Sequence, residues 1–247
     1  MRTFSLMFSR KWFLTTVLVL LGSALCVRLG IWQLDRLAQR RAFNAHVTEM
    51  WSLPALTLDA RDGAGLADME FRAVEVSGSY DFVNQVALRN QYHEGELGFH
   101  LLTPLVLEPD VAVLVDRGWI PAEGNSAPDS WRAYDEPSDV TINGILRRGQ
   151  ATAEIGGLSD PDLAPGQSRL EVWNMVNLAR IGAQLPYRLL DAYVQPDPDP
   201  ADNQPPIPYQ PQIELSEGPH LGYAGQWFVF AAMLFFGYPL FYLRKQV

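Results

Sequence analysis

Two long apolar runs bracket a polar, finely alternating middle. The first, Trp12 to Val27, is 16 residues without a charge and extends to Leu34, 23 residues in all, with Arg28 as its only ion. The second, Leu221 to Leu243, is 23 residues without any. At about 1.5 Å per residue, either crosses a hydrocarbon core of roughly 30 Å, the first once Arg28 reaches the headgroups. They predict transmembrane helices over 12–34 and 220–243. Helical spacing persists past Leu34 in "GIWQLDRLAQRRAFNAHV", with Trp32, Arg36 and Arg40 four apart on one face, so the first helix is expected to emerge from the bilayer. A cleaved signal peptide over residues 1–24, ending near "GSA", is the alternative reading.

After the turn-rich "LPALTLDARDGAG" the period shortens to two. Alternating segments at 71–81, 85–93, 98–107, 111–120, 140–148, 169–174 and 188–195 are bounded by Gly, Pro, Asn or Asp and predict strands. The short "EPD" at 108–110 makes 98–120 a hairpin, and "MVNLARIGAQL" at 175–185 reads as a short helix capped by Asn174. Seven prolines among residues 195–212 forbid a central strand or helix there, leaving an extended segment back to the membrane. The fold class expected is an α+β membrane protein. Two transmembrane helices flank an external, mainly antiparallel β domain, a sheet or partly open barrel with one or two short helices.

Charge sharpens the layout. All 28 Asp and Glu and 13 of the 19 Lys and Arg lie between residues 29 and 220, so that stretch carries 13 minus 28, or -15. Arg244 and Lys245 follow the second run while Glu214 and Glu217 precede it, which puts the C-terminus in the cytoplasm. With two helices the N-terminus shares that side. Residues 1–11 and 244–247 are then cytoplasmic and 35–219 external, in a periplasm or an equivalent intermembrane space. The one cysteine, Cys26, lies outside that domain, which therefore folds without disulfides. Basic residues scattered through an acidic domain argue against nucleic acid as a partner, and the lipid bilayer is the first one implied.

No P-loop, dinucleotide fingerprint, nucleophile elbow or metal-binding cysteine pair is present. Of four histidines, His93 and His100 are seven apart and face each other if a turn intervenes, but two imidazoles without cysteine make a poor metal site. "RGWIP" closes the most apolar strand. Arg117, Gly118, Trp119 and Pro121 are either structural, a turn with Trp119 packed on the sheet and Arg117 tied to a carboxylate, or an exposed edge that receives a partner. "HLGYAGQWF" opens the second run. An aromatic belt accounts for Tyr223 and Trp227, but His220 and Gln226 at that depth require something to satisfy them. Trp32, Gln33 and Arg36 fall at the same level of the first run. Two such clusters suit a flat apolar ligand with an anionic edge, and haem is one, with histidine for the iron and arginine for the propionates.

"LGIWQLDRLAQR" (29–40), "VDRGWIP" (115–121) and "HLGYAGQWFVFA" (220–231) resemble, in order and spacing, three signature blocks of the Surfeit locus protein 1 family, membrane assembly factors of haem-copper cytochrome oxidases. The resemblance implies a non-enzymatic role in maturing oxidase subunit I in a bacterial inner membrane, with transient binding of haem a. Subunit I is the partner it implies, and haem-synthesis enzymes are further candidates. It makes His220 the iron ligand, while Trp32, Gln33 and Arg36 match the first block. Gln39 and Arg40 depart from that block, where an aromatic and a lysine are expected. No second histidine lies within 12–34, so a bis-histidine site within one chain is not expected. Two alternatives stay open: a scaffold that binds only proteins, and a membrane-anchored periplasmic enzyme, against which the lack of a spaced nucleophile and base counts.

Overall fold

The computed structural model of the chain describes residues 9–61, 63, 65–153, 156–201 and 203–244. It divides into two compact units, one of Met1–His46 with Glu214–Val247 and one of Val47–Ile213.

The first unit is a helical hairpin. Helix α1 runs without a break over Phe13–Ser52, its last residues from Val47 counting with the second unit, and the chain's last helix, α4, covers His220–Arg244. Both are long and apolar enough to cross a membrane. Their large side chains, among them Leu14, Leu18, Leu21, Leu25, Phe230, Met233 and Phe236, point outward and are exposed. Such a surface suits lipid and not water. What the helices bury against each other is mostly small or polar. Thr16, Ser23 and Gly30 are buried at seven-residue intervals on α1 and continue to Leu37. Ala224 and Ala231, also seven apart, are buried on α4. Thr16 Oγ1 lies 2.8 Å from Tyr238 Oη, Ser23 Oγ donates to the Ala231 carbonyl at 3.1 Å, and a Cβ on Gly30 would strike the ring of Phe228. Sequence numbers that rise on one helix and fall on the other define an antiparallel seam with a heptad period.

The second unit is a β domain. Its strands are β1 (Leu56–Leu58), β2 (Ala73–Tyr80), β3 (Val86–His93), β4 (Glu96–Glu108), β5 (Val111–Pro121), β6 (Asp139–Arg148), β7 (Val172–Trp173) and β8 (Arg188–Pro196). They form one sheet in the order β1-β2-β6-β8-β5-β4-β3-β7. Tyr80 and Ser79 of β2 also pair with Leu105 and Val106 of β4. That extra contact closes β2, β6, β8, β5 and β4 into a five-stranded barrel, which removes the open edges those strands would otherwise expose. Strand β5 is buried at every position from Val111 to Ile120, and its alternation sorts two cores. Val111, Val113 and Val115 join Val74, Val76, Leu105, Leu146 and Val194 in one cluster. Leu114 joins Leu102, Trp173 and Ile181 in another, partly covered by helix α3 (Leu178–Gly182). A one-turn helix, α2 (Pro128–Trp131), seats Trp131 with Leu101 and Ile120.

The expected strands all form, with differences that have local causes. The segment at 169–174 shortens to the two residues of β7, and the strand β1 pairs in parallel with β2 inside the stretch expected to be only turn. Three pairings, β1–β2, β3–β7 and β5–β8, are parallel in an otherwise antiparallel sheet. The short helix is capped by Asn177, whose side chain accepts from the Arg180 N–H at 3.1 Å, and not by Asn174, which instead accepts from Arg89 Nε at 2.7 Å. In the proline-rich segment Ile207 forms an antiparallel bridge with Trp119 on both backbone bonds, 2.8 and 2.9 Å.

Candidate functional site

The helical unit brings two of the expected residues together. His220 Nδ1 and Gln33 Oε1 are 2.8 Å apart. An amide oxygen can only accept, so Nδ1 carries a proton, and in the neutral ring the lone pair is on Nε2. Gly218, at φ +69, stands beside the ring. A Cβ there would lie 3.5 Å from Nε2, in ordinary contact with the ring. An imidazole oriented through its other nitrogen is a donor of the kind a haem iron takes.

Around this pair the cations divide. Arg40 Nε donates to the Ser216 carbonyl at 2.9 Å and its Nη2 to that of Glu214, while Arg41 meets Glu217 bidentately with both bonds at 2.9 Å. These tie α1 to the segment that precedes α4. Arg36 makes no such tie: it stacks over Trp32 at 5.6 Å and donates to Gln39 at 3.0 Å, both on its own helix. Its guanidinium is thus kept at the exposed surface beside an exposed indole.

Not every expected residue joins them. Tyr223 and Gln226 are exposed on α4, and Gln226, six residues past His220, sits roughly 240° around the helix from it at about 100° per residue. Trp227 is half-buried, its ring edge-on to Phe230 at 6.0 Å. Because α1 continues to Ser52 it does hold a histidine, His46, but 13 residues beyond Gln33, or about 20 Å along the axis.

In the β domain "RGWIP" is interior and not an exposed edge. Between the pairs Leu101–Gly118 and Leu102–Asp116 the β4–β5 ladder skips Arg117, a β-bulge that re-aims the side chain. Arg117 is 2% exposed and donates to Gln85 Oε1 at 2.8 Å, to Glu136 Oε1 at 3.0 Å and to the Tyr134 carbonyl. Its guanidinium also packs on Phe82 at 4.9 Å and Tyr80 at 5.3 Å. The structural reading of the motif is the one these contacts support. Trp119 is buried too, and its ring meets His93 at 5.2 Å. His93 and His100 do not face each other: the hairpin turns on Glu94 and Gly95, both at positive φ, so His93 pairs with Glu96 and His100 with Leu88.

A five-stranded barrel with short helices, lying in sequence between two apolar helices, defines a class of membrane protein in which the β domain is anchored at both ends. Within that class, residues 20–232 match the model of the SURF1 family, and the chain belongs to it. A SURF1-like protein of Mycobacterium tuberculosis is 27% identical over 233 residues, covering 90% of this chain and 80% of its own. One from Rickettsia bellii is 25% identical over 232 residues, covering 92% and 90%. Surfeit locus protein 1 of Takifugu rubripes is 25% identical over 153 residues, 56% of this chain and 61% of its own.

Proposed function

We propose that this chain is an assembly factor, not an enzyme, for haem-copper cytochrome oxidase, and that it holds haem a transiently on its way to subunit I. The observation that carries the reading is the Gln33–His220 bond of 2.8 Å, which orients the imidazole through Nδ1. Haem as cargo would offer iron to Nε2, and Arg36 is the exposed cation for a propionate. Trp32, Tyr223 and Trp227 are the aromatic surfaces near that level; Gln226 faces away and takes no part. The charge layout supports a bacterial inner membrane protein with both termini cytoplasmic and residues 35–219 periplasmic, where an oxidase subunit or a haem-synthesis enzyme would be met at the outer surface.

The test is co-expression with haem a synthesis, purification in detergent and an absorption spectrum. The chain should carry a Soret band, and His220→Gln should insert normally but lose or shift it. Arg36→Ala should retain more haem than His220→Gln, since the iron bond remains. One observation favours a second reading, a scaffold for proteins alone: Gln33 and His220 continue the antiparallel seam that pairs Thr16 with Tyr238 and Ser23 with Ala231, so their bond also serves helix packing. A His220→Gln protein with an unchanged haem spectrum, or oxidase co-purification with no haem at all, selects that reading.

A further inference from the structure

The β domain holds a second polar site far along the chain from His220. On the flank of the barrel is a cavity of about 570 Å³, within the range that takes small-molecule ligands. His100 and Asp116, 5% and 4% exposed, are part of its wall. His100 Nδ1 and Asp116 Oδ2 are 3.0 Å apart, and Gln195 Nε2 donates to the same oxygen at 3.3 Å. Gln195 is held in turn by Arg147, which donates to Gln195 Oε1 at 2.9 Å and to Glu70 at 3.1 Å. The barrel therefore buries a carboxylate, orients it through Gln195, itself held by Arg147, and uses it to hold an imidazole at the cavity wall.

Two features of this network call for a ligand. Asp116 Oδ1 is buried with no hydrogen-bond partner, and native folds rarely leave a buried acceptor unmet without use. The carboxylate also engages His100 Nδ1 and fixes the ring's orientation, which leaves Nε2 as a second hydrogen-bonding atom for a ligand. Neither the barrel nor the helical hairpin needs this pair for its architecture, because β4 and β5 are joined by their own ladder on both sides of it.

The remaining lining selects the chemistry. The formal charges around the cavity cancel, Asp116 and Glu70 against Arg147 and Arg148, so no net field draws in an ion. Among the described residues no group of three His, Cys, Asp or Glu side chains is placed to hold a metal. Tyr193 contributes a phenol that burial, and then the charge of Asp116, push well above its ordinary pKa, so it stays a hydroxyl that both donates and accepts. Tyr209, from the proline-rich segment, stands edge-on to His100 at 6.3 Å and adds a flat wall, and Gln91 and Gln150 bring amides. Acceptors at the base, amides that donate and accept, and aromatic faces for C–H groups are the complement of a molecule with many hydroxyls and no charge.

We propose that this cavity binds a neutral, polyhydroxylated small molecule of sugar or polyol size, with His100 and Tyr193 contacting it and Asp116 positioning His100. The experiment uses the full chain purified in a detergent without a sugar head group, with ligand-observed NMR and calorimetry against glucose, galactose, trehalose and inositol. Glycine, spermidine and zinc chloride serve as charged probes. At least one of the four hydroxylated probes should bind with Kd near or below about 1 mM, the range of weak specific small-molecule sites. His100→Gln should weaken that binding about tenfold. Because a substitution so deep could disturb the barrel, Tyr209→Ala, which removes the flat wall at an exposed position, should weaken it about threefold with unchanged thermal unfolding. The proposal fails if no hydroxylated probe binds, if only the charged probes do, or if binding is unaltered in both variants.

Discussion

The β domain and the helical hairpin place polar and apolar groups in opposite ways. In the barrel every position of β5 from Val111 to Ile120 is buried, and the charged neighbours Asp116 and Arg117 sit in mid-strand, Asp116 paired with His100 and Arg117 with Gln85 and Glu136. In the hairpin most leucines and phenylalanines are outside, and the buried seam consists of Thr16, Ser23, Gly30, Ala224 and Ala231, with a leucine only at its end, Leu37. Water explains the first arrangement, since apolar area removed from it is the main gain and a charge taken inside must be bonded. It cannot explain the second. Lipid tails are as apolar as leucine, so two helices gain nothing by hiding leucines from them and associate through close approach and a few hydrogen bonds. The contrast teaches that the two units should respond very differently to substitutions of similar size.

The largest effect is expected at Gly118 in β5. Its φ is +118, and a Cβ there would overlap the carbonyl of Ile207 and the nitrogen of Pro208, just where Ile207 bridges Trp119. Gly118→Ala combines a backbone strain of about 1–3 kcal/mol with loss of that bridge. A total of at least about 3 kcal/mol is a large part of the stability of an ordinary domain. Urea unfolding of the full chain in detergent, followed by tryptophan fluorescence, should show a sharply lowered midpoint or no folded β domain. A midpoint within error of the parent would mean that the segment around Ile207 moves aside freely.

Arg117→Lys comes next. Lysine keeps the charge but lacks the planar fork that reaches Gln85, Glu136 and the Tyr134 carbonyl together and lies flat on Phe82. Glu136 is partly exposed and can regain water, but Gln85 is buried and cannot. A loss of about 1–3 kcal/mol follows, read in the same unfolding experiment. A surface ion pair would lose no more than about 1 kcal/mol, so the size of the change decides whether the side chain works as an interior tie.

Much of this contrast could be read in the residues before any fold was known, and the rest could not, for reasons of range. Alternation is local, so the strands from Ala73 to Tyr80 and from Val111 to Pro121 are visible in their own side chains. Pairing is not local. Nothing within β8 says that it lies parallel to β5, and closure of the barrel rests on two residue pairs, Ser79–Val106 and Tyr80–Leu105. A bulge is equally silent: "VDRGW" reads as a strand that runs out into polar residues, whereas the skipped ladder position turns Arg117 inward. At the helices, His220 and Gln33 are legible as polar groups at one depth, while the outward direction of Gln226 follows from helical phase about His220. One signal was present and is seen only with the seam in view. Thr16, Ser23 and Gly30 are small residues at a seven-residue spacing inside a run otherwise notable for its length.

The smallest effect tests the other half of the comparison. Ser23 is as buried as many barrel residues, and its hydroxyl donates to the Ala231 carbonyl at 3.1 Å. In a water-soluble core, deleting a buried hydrogen bond can cost 1 kcal/mol or more, roughly as for Arg117. Here the carbonyl of Ala231 already accepts within α4, and alanine at position 23 keeps the close approach that Gly30 and Ala224 also provide. Ser23→Ala should therefore weaken helix pairing by only about 0.6 kcal/mol, the average for interhelical hydrogen bonds in lipid. Ser23→Leu keeps the apolar character but forces the helices apart, and should weaken pairing more than Ser23→Ala does. Cysteines at residues 16 and 238, joined by a bifunctional reagent that spans a tyrosine's reach and followed through detergent titration, read both variants. If Ser23→Ala abolishes the cross-link while Ser23→Leu preserves it, hydrogen bonding and not close approach holds the hairpin, and the distinction drawn between the two units is wrong.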